Sequence, residues 1–235
     1  MRRLGLLLVA GGAGLVLGAS PAQATNECRG LPVCVRVAGP WVVVPAARVT
    51  PRPRVDYQLS CPRGFIVGGL DAELSDRAID VAFLGNLGSP VGPGVTTSRS
   101  ALFGATYVGA LARTPTFRPH IGCLPAAGGG SGPVPLRLST SFPPGQPTVR
   151  RARTAALRPG TARVLAACKP GERLISGWHA VGFYTATAPR SELVESVSTS
   201  RRMRNGRVEV RVRSGVAVGG VRAVVQVGAV CGGGP

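Results

Sequence analysis

Two arginine-rich runs hold the densest store of side chains with usable chemistry. They are "VRRARTAALRPGTAR" (Val149–Arg163) and "SRRMRNGRVEVRVR" (Ser200–Arg213), with a single acid, Glu209, between them. If Arg211 and Arg213 share one strand face, and Arg201, Arg202, Arg204 and Arg207 flank its turn, the second half of the chain carries a basic patch. The planar guanidinium fork suits phosphate and carboxylate groups, and a patch of one sign draws in polyanions. Aromatic residues hardly interleave with these arginines, which disfavours base-stacking recognition of single strands and points away from a sequence-specific nucleic-acid partner. The plainer reading is a solvated face in an arginine-biased composition. Lys169 is the only lysine, and abundant alanine, glycine, valine and proline suggest a GC-rich genome such as an actinobacterium's.

Other chemistry is thinly supplied. Asp71, Glu73, Asp76 and Asp80 form the one acidic cluster. Paired carboxylates a few ångströms apart could act as a glycosidase's acid and base, or their oxygens could bind calcium. The spacing fits no calcium loop, however, and Asp71 and Glu73 also read as the wet face of one strand. The two histidines, His120 and His179, stand at non-equivalent places, and two histidines with no clustered third ligand make a poor zinc site. No G-x-S-x-G nucleophile elbow and no phosphate-cradling G-x-x-x-x-G-K-[ST] is present. The reading is therefore non-enzymatic, with no metal and no cofactor.

The first 24 residues run from Arg2-Arg3 through an apolar stretch to Ala22-Gln23-Ala24, the three-part pattern of an export leader with an A-x-A site. Its removal would take the formal charge from +18 to +16, and the mature chain is expected to lack a transmembrane segment. Six cysteines follow the leader. An even count in an exported chain reads as three disulfides, and the spacing selects Cys28–Cys34, Cys61–Cys123 and Cys168–Cys231, the last two closing loops of nearly equal length.

What must position these groups is a repeated unit. "SCPRGFIVGGLDAEL" (Ser60–Leu74) is echoed by "ACKPGERLISGWHAV" (Ala167–Val181), "VTTSRS" by "VSTSRR", and "HIGCLP" by "VGAVCG", in the same order. Ordered anchors of this kind imply an internal duplication. Inside each copy the pattern is strand-like: Ile79, Val81 and Phe83 oppose Asp80, while Val208, Val210 and Val212 oppose Glu209, Arg211 and Arg213. A hairpin is expected to turn at Ser75-Asp76-Arg77. Thr97-Ser98-Arg99 and Thr199-Ser200-Arg201 read as turns with a local cap. The expected organisation is a leader (1–24), an N-terminal segment with a small disulfide loop (25–41), repeat 1 (42–124), a Gly/Pro-rich linker with one strand in "VPLRLSTSF" (125–148) and repeat 2 (149–235). The fold class is all-β: two homologous disulfide-clamped units forming a sandwich- or prism-like body.

The C-P/K-x-G start, the apolar run into glycine and the closing cysteine about sixty residues on resemble the repeat of secreted actinobacterial proteins of unknown function. "CPRGFIVGG" is more distantly similar to the "C-P-x-G-x-x-V" start of repeats in the vitelline membrane outer layer I family, whose fold is a β-prism. The resemblance implies an exported β scaffold and transfers no catalytic residue. Three functions compete on these grounds: a secreted, non-enzymatic protein docking on anionic envelope polymer, a secreted hydrolase using the Asp71–Asp80 cluster, and a structural surface protein.

Overall fold

A computed structural model describes residues 25–31, 33–47, 49–84, 99–110, 114–126 and 148–232. "VPLRLSTSF" and Thr97-Ser98 lie outside them. The first half supplies β1 (Val35–Ala38), β2 (Trp41–Val43), β3 (Arg54–Ser60), β4 (Phe65–Leu74), β5 (Ile79–Leu84), β6 (Ser100–Tyr107) and β7 (Thr116–Pro125). The second supplies β8 (Val149–Leu157), β9 (Gly160–Ala167), β10 (Arg173–Tyr184), a short helix α1 (Ser191–Glu195), β11 (Val197–Arg204), β12 (Arg207–Ser214) and β13 (Arg222–Gly232), with a 3-10 turn at Val216–Gly220. The described residues are all-β apart from these two short pieces, as the alternating patterns predict.

One sheet of seven strands forms a continuous layer: β4 pairs β7, β7 pairs both β1 and β2, and the order continues through β10 and β13 to β8. Two three-stranded sheets, β3-β6-β5 and β11-β12-β9, form a divided second layer. The halves use one wiring. β3 matches β9, the β4–β7 pair matches β10–β13, and β6 and β12 are the middle strands of their outer sheets. Each outer sheet lays its apolar face on its own half of the long sheet. Val55, Tyr57, Phe103 and Ala105 meet Val67, Phe117 and Ile121 in one core, and Val164, Val208, Val210 and Val212 meet Ala223, Val225 and Val227 in the other. Each buried valine contributes about 1.5–3 kcal/mol relative to exposure. The disulfides are Cys28–Cys34, Cys61–Cys123 and Cys168–Cys231. The two long-range bridges each bind the end of an outer strand (β3 or β9) to the long sheet, and each removes about 4 kcal/mol of unfolded-state entropy.

The echoed C-P/K-x-G stretches are these clamped corners. Gly64 and Gly171 both sit at positive φ, 81° and 86°, a conformation that side chains with a Cβ seldom adopt. Phe65 N–H donates to Pro62 O in the first turn and Glu172 N–H to Lys169 O in the second. Seven residues after each cysteine the strand carries an extra residue, Gly68 in β4 and Ile175 in β10, where the ladder register slips. A bulge of this kind bends the strand and increases its local twist. In the second corner Glu172 accepts from Lys169 N–H at 2.7 Å and from both Nε and a terminal nitrogen of Arg151 on β8.

The expected hairpin at Ser75-Asp76-Arg77 is instead a corner between layers: β4 pairs β7 in the long sheet, while β5 pairs β6 in the outer one. The turn residues are right, but the partner differs, because Asp76 caps a change of sheet. Its carboxylate accepts from Ala78 N–H at 2.8 Å and from the Tyr107 hydroxyl at 3.2 Å.

The halves meet along a polar seam. The Gln226 side chain, 3% exposed, copies a strand pairing: its carbonyl accepts from Gln58 N–H at 2.7 Å and its amide donates to Gln58 O at 2.9 Å. A further bond reaches Thr154 Oγ1 at 3.1 Å. Beside it, burial and then the neighbouring Tyr184 hydroxyl push the Tyr57 phenol upward, so it stays neutral, and Arg222 lies 4.2 Å over the Tyr184 ring.

Two outcomes test this architecture. Gln226→Leu keeps the bulk but strands Gln58's N–H and C=O, and should lower unfolding free energy by about 1–3 kcal/mol per orphaned group in denaturant titration. Hydrogen bonds from Arg151 and then from Lys169 N–H lower the Glu172 carboxyl from 4.5 to about 2. Its stabilisation is full above pH 4.5 and is lost as pH falls through about 2. The melting-temperature gap between the parent and Glu172→Gln should close across that window.

Candidate functional site

The sheet β11-β12-β9 presents alternate residues to solvent, because the others are the valines of the core beneath. β12 shows the alternation cleanly: Val208, Val210, Val212 and Ser214 are buried, Arg207, Arg211 and Arg213 are exposed, and Glu209 is half-buried. Residues directly opposite across a ladder share a face, so the register sorts the other arginines. Arg204 pairs Arg207, Arg202 pairs Glu209, and Arg211 pairs Arg163. Arg163, Arg202, Arg204, Arg207, Arg211 and Arg213 therefore stand on one outer face, in rows about 5 Å apart across strands and about 7 Å apart along them. Glu209 is the acid among them. Arg163 donates to it at 2.6 Å and Arg211 at 3.3 Å, and these two bonds, with the arginine charges, hold its carboxyl below the usual range despite the opposing push of burial. The acid fixes two guanidinium groups and leaves the face strongly cationic.

Arg201 does not belong to that face. It pairs Val210, a core residue, so it points to the other side of β11, where its guanidinium donates to Gly177 O at 2.7 Å. Thr199-Ser200-Arg201 is likewise strand rather than turn. The alternation that turns Ser200 outward turns Val197, Thr199 and Arg201 inward.

Those three residues line a cleft of about 420 Å³, at the gap where the outer layer divides. Pro53 and, from β3, Arg54 and Val55 form the facing wall, with Val43, His179 and Val181 beneath and Val194 of α1 at the end. His179 Nε2 and Thr199 Oγ1 share a hydrogen bond of 2.8 Å. Burial, and then the Arg201 charge, push His179 below its ordinary pKa, so it is neutral at pH 7.

The acidic cluster is dispersed. Asp71 accepts from Asn26 N–H at 2.6 Å and from Ala72 N–H at 2.8 Å, Asp76 caps the corner, and Asp80 is exposed on the outer sheet. Glu73 meets His120 instead, its Oε1 3.2 Å from Nε2, without the direction a hydrogen bond needs. Glu27, which sequence reasoning missed, lies on the other side of that ring, with Oε1 4.0 Å from Nδ1 and 3.7 Å from Arg36 Nε. The Glu27 carbonyl is laid on Gly69 and Gly122, where any Cβ would collide with it. This fixes the N-terminal segment on the sheet. Burial lowers the His120 pKa, against the pull of Glu73 and Glu27. Among the described residues, Cys168, Glu172 and Cys231 are the only metal-like trio, and those two sulfurs are joined as a disulfide. No described helix is long and apolar enough to cross a membrane.

A histidine whose folded pKa is depressed destabilises the fold as pH drops below its unfolded value, about 6.5. Thermal unfolding between pH 7 and 5 should therefore show falling stability, and His179→Gln should flatten part of that slope. Set against known protein families, curated proteins and solved structures, the chain matches none, so the site is read from its own geometry.

Proposed function

We propose that the chain is an exported, non-enzymatic β protein that acts at or outside the cell envelope and docks on anionic polymer through the outer face of β11-β12-β9. The observation that carries this reading is the convergence of Arg163, Arg202, Arg204, Arg207, Arg211 and Arg213 on one exposed face around a single acid. Spaced guanidinium groups on a rigid sheet match a chain of phosphates or carboxylates at several points at once. Export is supported by the leader pattern of residues 1–24 and by the three disulfides. The resemblance to secreted C-P-x-G repeat proteins supports the same placement. A hydrolase would need Asp71 and Asp76 to face one substrate, whereas Asp76 spends its carboxylate on a corner.

A salt-graded pull-down of the leaderless chain on cell walls of its source tests the reading. Binding that falls steeply with salt is expected, since each neutralised polymer charge releases a counterion. The double variant Arg204→Ala/Arg207→Ala should elute at clearly lower salt than the parent and flatten the log–log salt slope by roughly one to two. Arg201→Ala, on the opposite side of β11, should elute with the parent. Salt-resistant retention would favour a structural surface protein instead, and no retention would overturn both.

A further inference from the structure

The repeated V-x-T-S-R motif is left unexplained by the arginine face, because only Ser198 and Ser200 of it point that way. Its inward residues, Val197, Thr199 and Arg201, form one wall of the seam cleft. That cleft has the size of a small-molecule pocket and a divided lining. Val55, Val181, Val194 and Val197 make an apolar interior, and no Phe, Tyr or Trp is among its described lining residues for a sugar to stack upon. At one wall stand the Arg201 guanidinium, tethered by a single bond to Gly177 O, and the Thr199–His179 pair. The opposite wall adds main-chain donors. Successive strand residues turn their N–H and C=O groups to opposite edges. Gln58 turns its pair away from β6, to Gln226, so Arg54, four residues earlier on the same strand, turns its own pair the same way, along the edge that borders the cleft.

We infer that this cleft binds a small organic anion, a carboxylate carried on an aliphatic body, with the carboxylate held by Arg201 and the Thr199 hydroxyl and the body lying on the valines. Both parts of the lining are needed for this. A bare inorganic anion would leave the valine surface wet, and a neutral hydrocarbon would bring no negative charge to the Arg201 guanidinium, which is bonded to a neutral carbonyl, Gly177 O. The site is separate from the outer arginine face and does not depend on its function.

Octanoate is the probe, with octylammonium as the same body of opposite charge and inorganic phosphate as charge without a body. Calorimetric titration of the disulfide-intact chain should show one saturable octanoate per molecule, with both controls weaker by about tenfold or more, the size expected when a charge-assisted hydrogen bond is lost. Arg201→Gln should weaken octanoate by a similar factor. Thr199→Trp, at an exposed position of β11, should fill the cleft and abolish binding while leaving the melting temperature and far-ultraviolet dichroism of the parent. Arg211→Ala, on the outer face, should bind octanoate as the parent does. The assignment is overturned if octanoate fails to saturate, if octylammonium binds as well, or if Thr199→Trp folds and still binds. If Arg201→Gln does not fold, Thr199→Trp and the two control ligands decide alone.

Discussion

Three residues, Trp41–Val43, make the long layer a single sheet. On one side Val42 and Val43 pair Phe117 and Thr116 of β7, and on the other Trp41 and Val42 pair Phe183 and Gly182 of β10. Without that strand the β4–β7 and β10–β13 pairs would each end in an open edge, and each half would be a small sandwich with a core of modest size. Among the described residues the outer layer has no such joint. Across the seam the Gln226 side chain, from β13 of the long sheet, satisfies one residue's worth of β3 backbone in place of a strand. A backbone cut off from water must find partners, and Gln226 lets β3 stop there without a further strand. Continuity below and division above leave a cleft over the junction.

The same layering explains why the arginines can crowd. The sheet β11-β12-β9 is anchored from beneath by valines and by a disulfide at its corner, so its exposed face contributes little to stability and tolerates repulsion between like charges. Glu209 offsets part of that repulsion. Exposed ion pairs of this kind add little to stability, so the acid's main effect is to hold Arg163 and Arg211 in place.

Most of the scaffold was legible in the residues. Strict alternation in "GRVEVRVRSG" marked a strand with one buried face, that in "AIDVAFLG" marked a strand whose apolar face is buried at Ile79 and exposed at Phe83, and equal cysteine spacing selected the clamps. What eluded the sequence was partnership across long separations. Ser75-Asp76-Arg77 looks like any hairpin turn, since nothing local tells a chain whether its next strand pairs the last one or leaves for another sheet. Arg201 was grouped with Arg202, Arg204 and Arg207 because proximity along the chain hides the side on which a strand presents each residue. Glu27 gave no signal beyond a lone acid near a cysteine, and its burial follows from where the Cys28–Cys34 loop is laid on Gly69 and Gly122. α1, at five residues, is too short to leave a helical period.

Among the described residues β11 is an outermost strand of its sheet, with β12 on one side and no described strand on the other, and nearly all of its residues are exposed. A bare row of N–H and C=O groups is a template for another copy of the chain, and charged side chains are a common guard against such self-association. Arg201, Arg202 and Arg204 sit on this strand. Arg202 and Arg204 thus guard this edge as well as belonging to the proposed docking face, and removing them to weaken the docking also unguards the edge.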